Sequence, residues 1–152
     1  MEKLILGIGN TLNHDEGLGV HALEFLKKEF SDRSDIEIED GGTLGLNLLP
    51  VVEGCSHLLI LDTIDANKDA GALIEMQGKD IPMFKEVKMS DHQTTFQEVL
   101  GFAKIRGKLP KHLFLLGIQP ADTTLGVGLS KMVEDTMPAL ANRAIEIVNN
   151  WK

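Results

Sequence analysis

The chain reads as an α/β fold: a three-layer sandwich in which a mostly parallel five-stranded sheet carries helices on both faces. Three observations predict it. Strand-like apolar runs alternate with stretches of helical spacing along the whole chain, the order that builds parallel sheets from crossover units. The two most apolar runs, residues 57–62 and 112–118, are near-continuous rather than alternating, as strands buried on both faces must be. Finally, 152 residues without repeats, low-complexity tracts or linkers fit one domain, residues 1–152, burying roughly 68–70% of its unfolded surface.

Each element follows from its own pattern. Leu4-Ile5-Leu6 is a short buried strand that ends at Gly7 and feeds a Gly/Asn/Asp-rich loop. From Leu18 the apolar positions Leu18, Ala22, Phe25, Leu26 and Phe30 take helical spacing, so the loop opens a helix. Residues 36–40 alternate apolar and acidic as a half-buried strand does, stopping at Gly41-Gly42. A short helix is expected across residues 46–53, with Pro50 tolerable only in its first turn. Residues 57–62 form the most apolar strand and should be central, and residues 71–77 supply a further strand through Leu73, Ile74 and Met76. Phe96, Val99, Leu100 and Ala103 mark a helix for which Ser90 or Asp91 is the expected N-cap. The strand at 112–118 ends at Gln119-Pro120. The tail is an amphipathic helix whose stripe is Val133, Met137, Leu140, Ala144, Ile147, Val148 and Trp151.

Composition excludes several classes. With 15 basic against 23 acidic residues the formal net charge is −8, and phosphate neutralisation by clustered Lys and Arg is not available, so no nucleic-acid partner is expected. Aromatic residues make up 5% of the chain and tyrosine is absent, which leaves little for base stacking. No 18-residue apolar run and no signal-peptide pattern is present. The expectation is a cytoplasmic monomer without a membrane span. A single cysteine, Cys55, forms neither a disulfide framework nor a thiolate metal site and is read as a packing residue.

In parallel sheets ligands bind beyond the carboxyl ends of the strands. There the chain collects charge: Asn10, His14, Asp15 and Glu16 after the first strand, Asp40 at the end of the second, Asp62 and Asp65 at the third, and Asp91-His92 before a helix. Carboxylates that close raise one another's pKa, so a cation is expected among them. Asp15, Asp65 and Asp91 are read first as turn or cap residues, and His14 and His57 as structural or surface histidines. Asp40 is open between holding the glycine turn and serving the site, and His92 between capping and coordination. Asp62 directly follows a buried strand and needs a partner or ligand. Glu16, Asp62 and His92 together are oxygen and nitrogen donors suited to a borderline divalent ion such as zinc, nickel or iron.

A dinucleotide site competes for the same region. Gly17-Leu18-Gly19-Val20-His21-Ala22 fits G-x-G-x-x-A, and Asp40 lies 21 residues after Gly19. However, ten residues, 8–17, separate these glycines from the first strand, and Asp15-Glu16 would repel a pyrophosphate at the helix start. The nucleotide reading is set aside.

The segments at residues 7–19, 40–43 (Asp-Gly-Gly-Thr), 61–62 (Leu-Asp), 91–93 (Asp-His-Gln) and 117–120 (Gly-Ile-Gln-Pro) occur in the same order as the signatures of the hydrogenase maturation endopeptidases, and the chain is similar to that family from its first strand to its C-terminal helix. The resemblance implies an α/β domain with a twisted central sheet. It also implies a protease that binds the nickel-loaded precursor of the nickel–iron hydrogenase large subunit and removes a short C-terminal extension. Glu16, Asp62 and His92 match the family's metal-coordinating positions, and Asp40 matches a position linked to activity.

A Glu-Asp-His set without thiolates holds nickel weakly, so nickel is expected to arrive with the precursor, whose cysteines supply the soft ligands, and cleavage then checks metal insertion. Two mechanisms stay open: nickel as Lewis acid, or a carboxylate, Asp62 or Asp40, as general base. Glu16, Asp40 and Asp62 are thus the expected catalytic residues. No Ser-His-Asp or Cys-His set points to a covalent intermediate. The alternative is a non-catalytic nickel-dependent binding or chaperone module for the same subunit.

Overall fold

The computed structural model describes residues 2–83 and 95–151. Five strands, β1 (Lys3–Ile8), β2 (Glu37–Gly42), β3 (His57–Thr63), β4 (Leu73–Gln77) and β5 (His112–Ile118), form one sheet in the order β2-β1-β3-β5-β4. Four are parallel, and β4 pairs antiparallel with β5 at the edge. The helices are α1 (Leu18–Glu29), α2 (Leu49–Glu53), α3 (Phe96–Ile105) and α4 (Lys131–Asn149). Among the described residues no helix is long and apolar enough to cross a membrane.

Side-chain alternation along the strands divides the core into two layers. Ile5, Leu59, Leu61, Leu116 and Ile118 face α1 and α4, where Leu18, Leu23, Leu26, Val133, Met137, Leu140 and Ile147 close one layer. Leu4, Leu6, Leu58, Ile60, Leu113 and Leu115 face the opposite way, against Val52 of α2 and Phe96, Val99 and Leu100 of α3. β3 is central, as its apolarity requires, with Leu58, Leu59, Ile60 and Leu61 fully buried. The same alternation continues past the apolar run. Asp62 falls on the α2/α3 side with Leu58 and Ile60, and Thr63 on the α1/α4 side with Leu59 and Leu61.

Several local expectations shift. Phe25 is 47% exposed and Leu23 takes its place in the core, because the buried face of α1 centres near Leu26, with Gly19 and Leu23 on its far side, and Phe25 lies about 100° from that centre. β2 runs through the glycines to Gly42, where a bulge pairs Ile8 with Gly42 and leaves Gly41 opposite no partner. The short helix begins as a 3₁₀ turn, Gly45–Leu48, and becomes α-helical at Leu49, with Pro50 in its first turn. Ser90 and Asp91 lie outside the described residues, and the described helix α3 is capped instead by Thr95. Its hydroxyl accepts from Glu98 N at 3.3 Å while the Glu98 carboxylate accepts from Thr95 N at 3.2 Å. That reciprocal capping box is legible in Thr95-Phe96-Gln97-Glu98.

Candidate functional site

The strand order places a topological switch point between β1 and β3: the chain leaves β1 toward β2 on one side and leaves β3 toward β4 and β5 on the other. A crevice opens where connections diverge in this way. Here a crevice of about 490 Å³ lies at the carboxyl ends, walled by Gly9, Asn10 and Glu16 after β1, Gly42 and Thr43 after β2, Asp62, Thr63 and Asp65 at β3, Thr95, Phe96 and Gln97 at the start of α3, and Pro120 and Thr123 after β5. Three carboxylates and no Lys or Arg line it among the described residues.

The glycines of the first loop bring this about by close approach. A Cβ on Gly9, whose φ is +136°, would lie 1.9 Å from the Glu16 carbonyl oxygen, and one on Gly19 would lie 2.1 Å from the Leu61 carbonyl oxygen. Glycine at these positions lets the 3₁₀ turn His14–Gly17 fold back over the end of β1 and lets α1 start against β3. The glycines serve backbone packing rather than a phosphate cradle, in line with setting the nucleotide reading aside.

Glu16 stands on that 3₁₀ turn and Asp62 at the end of β3, both on the crevice wall. Asp62 is partly buried, and its carboxylate accepts from Thr63 N at 2.7 Å. Desolvation dominates its titration, that hydrogen bond opposes it, and the negative charge of Glu16 adds to it, so the Asp62 pKa is pushed up to about 7. A site that holds a proton so tightly for want of positive charge also favours a metal cation in the proton's place.

The remaining predicted residues take other places. Asp15 turns away from the crevice into the protein and is fully buried, so it does not belong to the acidic rim. Its carboxylate accepts from Ala121 N, Asp122 N, Ser130 N and the Ser130 hydroxyl at 2.7–2.9 Å. These bonds outweigh desolvation, the largest single influence, and hold its pKa below the usual value. Asp40 is exposed at the end of β2, where its Oδ1 accepts from Gly42 N at 2.9 Å; it holds the turn whose Gly42 and Thr43 reach the crevice. Asp65 lines the crevice while bonded to Gln119 Nε2 at 3.0 Å, which lowers its pKa. His92 and Asp91 lie outside the described residues. Among the described residues no group of three or more His, Cys, Asp or Glu is arranged to hold a metal, so the described donors of the expected set are the two carboxylates, Glu16 and Asp62.

The other sequence-flagged groups are structural. His14 adopts a φ of +45° and its Nδ1 lies 3.0 Å from the Gly128 carbonyl oxygen, pinning two loops. His57 is at the amino end of β3, stacked on His112 with ring centroids 4.3 Å apart. The Cys55 Sγ donates to the Val51 carbonyl, and burial pushes the thiol up to about 11. Two residues escaped sequence reasoning. Thr63 carried no signal beyond its place after Asp62. Gln119 was noted only as a strand end, yet it is buried, and its Oε1 accepts from Ala66 N and Lys68 N, clamping the loop beyond Asp62.

With this geometry in place, the comparisons with known proteins are concordant. A family model described as hydrogenase maturation protease matches residues 20–147. The chain is 39% identical over 150 residues to the hydrogenase expression/formation protein HupD of Bradyrhizobium diazoefficiens, spanning 97% of this chain and 78% of that one. It is 36% identical over 142 residues to the hydrogenase 2 maturation protease of Escherichia coli K12, with 92% and 87% covered. Among solved structures, the hydrogenase maturating endopeptidase HybD from E. coli superposes with a TM-score of 0.83 at 29% identity, over 98% of this chain and 93% of that one.

Proposed function

The chain belongs to the hydrogenase maturation protease family, a family of processing endopeptidases, and from that premise we propose that it cleaves a C-terminal extension from the nickel-loaded precursor of a nickel–iron hydrogenase large subunit. The observation that carries the finer reading is the pairing of Glu16 and Asp62 across a crevice without a basic residue among its described lining. Such a pair repels an anionic or metal-free carboxylate-rich partner and attracts a cation carried in by the substrate.

In this reading Glu16, Asp62 and His92 take the substrate's nickel ion. His92 is three residues before Thr95, which is on the crevice wall. The ion, when present, supplies polarisation of the scissile carbonyl or of a bound water. The chain's own residues do the rest. Glu16 and Asp62 orient the incoming segment, the 42–43 and 120–123 walls confine it, and a carboxylate takes the proton from the attacking water. Asp40 is the carboxylate we assign to that proton, since it stands outside the ligand set next to the Gly42-Thr43 wall.

The test is incubation with nickel-loaded precursor followed by mass spectrometry of the precursor's C-terminus. Release of a peptide is expected. A nickel-dependent complex with an intact C-terminus would instead indicate a binding module. Asp40→Asn is expected to abolish release while leaving complex formation intact, and unchanged release would remove Asp40 from the chemistry.

A further inference from the structure

Two carboxylates from different loops hold one ion only if their separation is fixed, and neither Glu16 nor Asp62 fixes it alone. One residue touches the supports of both. Thr63 N donates to Asp62 Oδ1 at 2.7 Å, and the Thr63 hydroxyl donates to the Asp15 carbonyl oxygen at 2.7 Å. That carbonyl belongs to the planar peptide unit joining Asp15 to Glu16, so anchoring it fixes the plane from which the Glu16 side chain departs. The far end of the anchor is held as well. Asp15 cannot shift, because its buried carboxylate is bonded to Ala121, Asp122 and Ser130 in the loop after β5.

We infer that Thr63 is a positioning residue, setting the distance between the Glu16 and Asp62 carboxylates through its amide on one side and its hydroxyl on the other. The alternation of β3 makes this possible. Asp62 points to the α2/α3 side and Thr63 to the α1/α4 side, where the 3₁₀ turn carrying Glu16 packs. A threonine at the end of β3 therefore reaches the turn with its hydroxyl while its own amide holds the neighbouring carboxylate. The inference rests on Glu16 and Asp62 acting together on a cation, as proposed above.

The experiment compares wild type, Thr63→Val and Thr63→Ser by nickel(II) titration calorimetry, well below the unfolding midpoints of all three. Valine keeps the shape and β-propensity but removes the donor, and its nickel affinity is expected to fall about tenfold or more, as for other groups that orient metal ligands. Serine restores the donor and is expected to restore the affinity, and in precursor processing, where the nickel arrives on the substrate, Thr63→Val is expected to raise KM. A purely structural brace would lower the unfolding midpoint of Thr63→Val and leave affinity and KM alone, and that result overturns the inference. If wild type binds nickel and cleaves precursor while Thr63→Val equals it in both, the brace falls and the functional reading stands. If wild type does neither, the functional reading falls and takes the brace with it.

Discussion

Asp15, in the 3₁₀ turn after β1, and Asp62, at the end of the neighbouring parallel strand β3, are carboxylates whose surroundings drive them in opposite directions. Asp15 has no exposed surface and its pKa is held low, while desolvation at the end of β3 helps push the Asp62 pKa up to about 7. Desolvation is the largest influence on both, and the supply of donors that opposes it differs. Asp15 receives four hydrogen bonds, three of them from backbone N–H groups. Asp62 receives one, from Thr63, and faces the charge of Glu16. Burial alone therefore does not mark the reactive group. A carboxylate saturated with donors is a structural tie, and one left short of them is poised to take a proton or a cation.

The sharpest way to break this contrast is to remove the charge at Asp62. Asp62→Asn, with Glu16→Gln beside it, is expected to lower precursor processing by at least about a thousandfold, on the order of 4 kcal/mol of activation free energy, in a folded protein. Mass spectrometry of the precursor reads it, and activity within tenfold of wild type in either variant would take that carboxylate out of the site.

Asp15→Ala should act on the other half of the comparison. It leaves four buried donors without an acceptor and frees the loop after β5, and the expected loss is about 3 kcal/mol of stability in urea unfolding. A loss below ~1 kcal/mol would mean that the loop finds other acceptors or water.

The pH dependence of stability separates the two groups next. Between the ordinary carboxylate value of 3.8 and about 7 the folded chain keeps a proton at Asp62 that the unfolded chain has released. The folded state thus binds more protons, and stability falls as pH rises through that window. Asp62→Asn removes the fall and is expected to be more stable than wild type at pH 8 by on the order of 2 kcal/mol, allowing for partial exposure. Asp15 works in the opposite sense. Its pKa is lowered, so its contribution is fully present above the ordinary carboxylate value and is lost as pH falls through the folded one. Unfolding curves at pH 3, 5 and 8 for wild type and both variants display the two slopes. The same titration predicts that cation affinity rises with pH up to about 7, as the Asp62 proton is displaced.

The smallest effect concerns the wall that neither carboxylate builds. Thr95→Ala removes the acceptor for Glu98 N at the start of α3, and about 1 kcal/mol of stability is expected to go with it. Because Thr95 lines the crevice, a disproportionate loss of processing would place the start of α3 in substrate binding.

Much of the architecture was legible because it is written in local periodicity. Near-continuous apolar runs marked β3 and β5 as interior strands, and 3.6-residue spacing marked α1, α3 and α4. The misses share a cause. Phe25 continues the helical spacing of apolar residues but falls outside the buried face of α1, because angular position on the helix and not hydrophobicity alone decides burial. The cap of α3 is Thr95 rather than the expected Ser90 or Asp91, and the reciprocal Thr95/Glu98 pattern stands nearer the helix. The direction of β4 is set by its edge pairing with β5, which no spacing within residues 73–77 reports.

By itself the sequence determined the layers of the fold and the gathering of carboxylates at strand exits, since both depend on residue type and short-range period. Only the tertiary structure decided what each carboxylate does. The partners of Asp15 come from residues 121, 122 and 130, more than 100 positions away, and the hydroxyl of Thr63 crosses 48 positions to reach the Asp15 carbonyl. Desolvation and hydrogen-bond supply are properties of that assembled neighbourhood, and they divide Asp15, a tie, from Asp62, a poised acceptor.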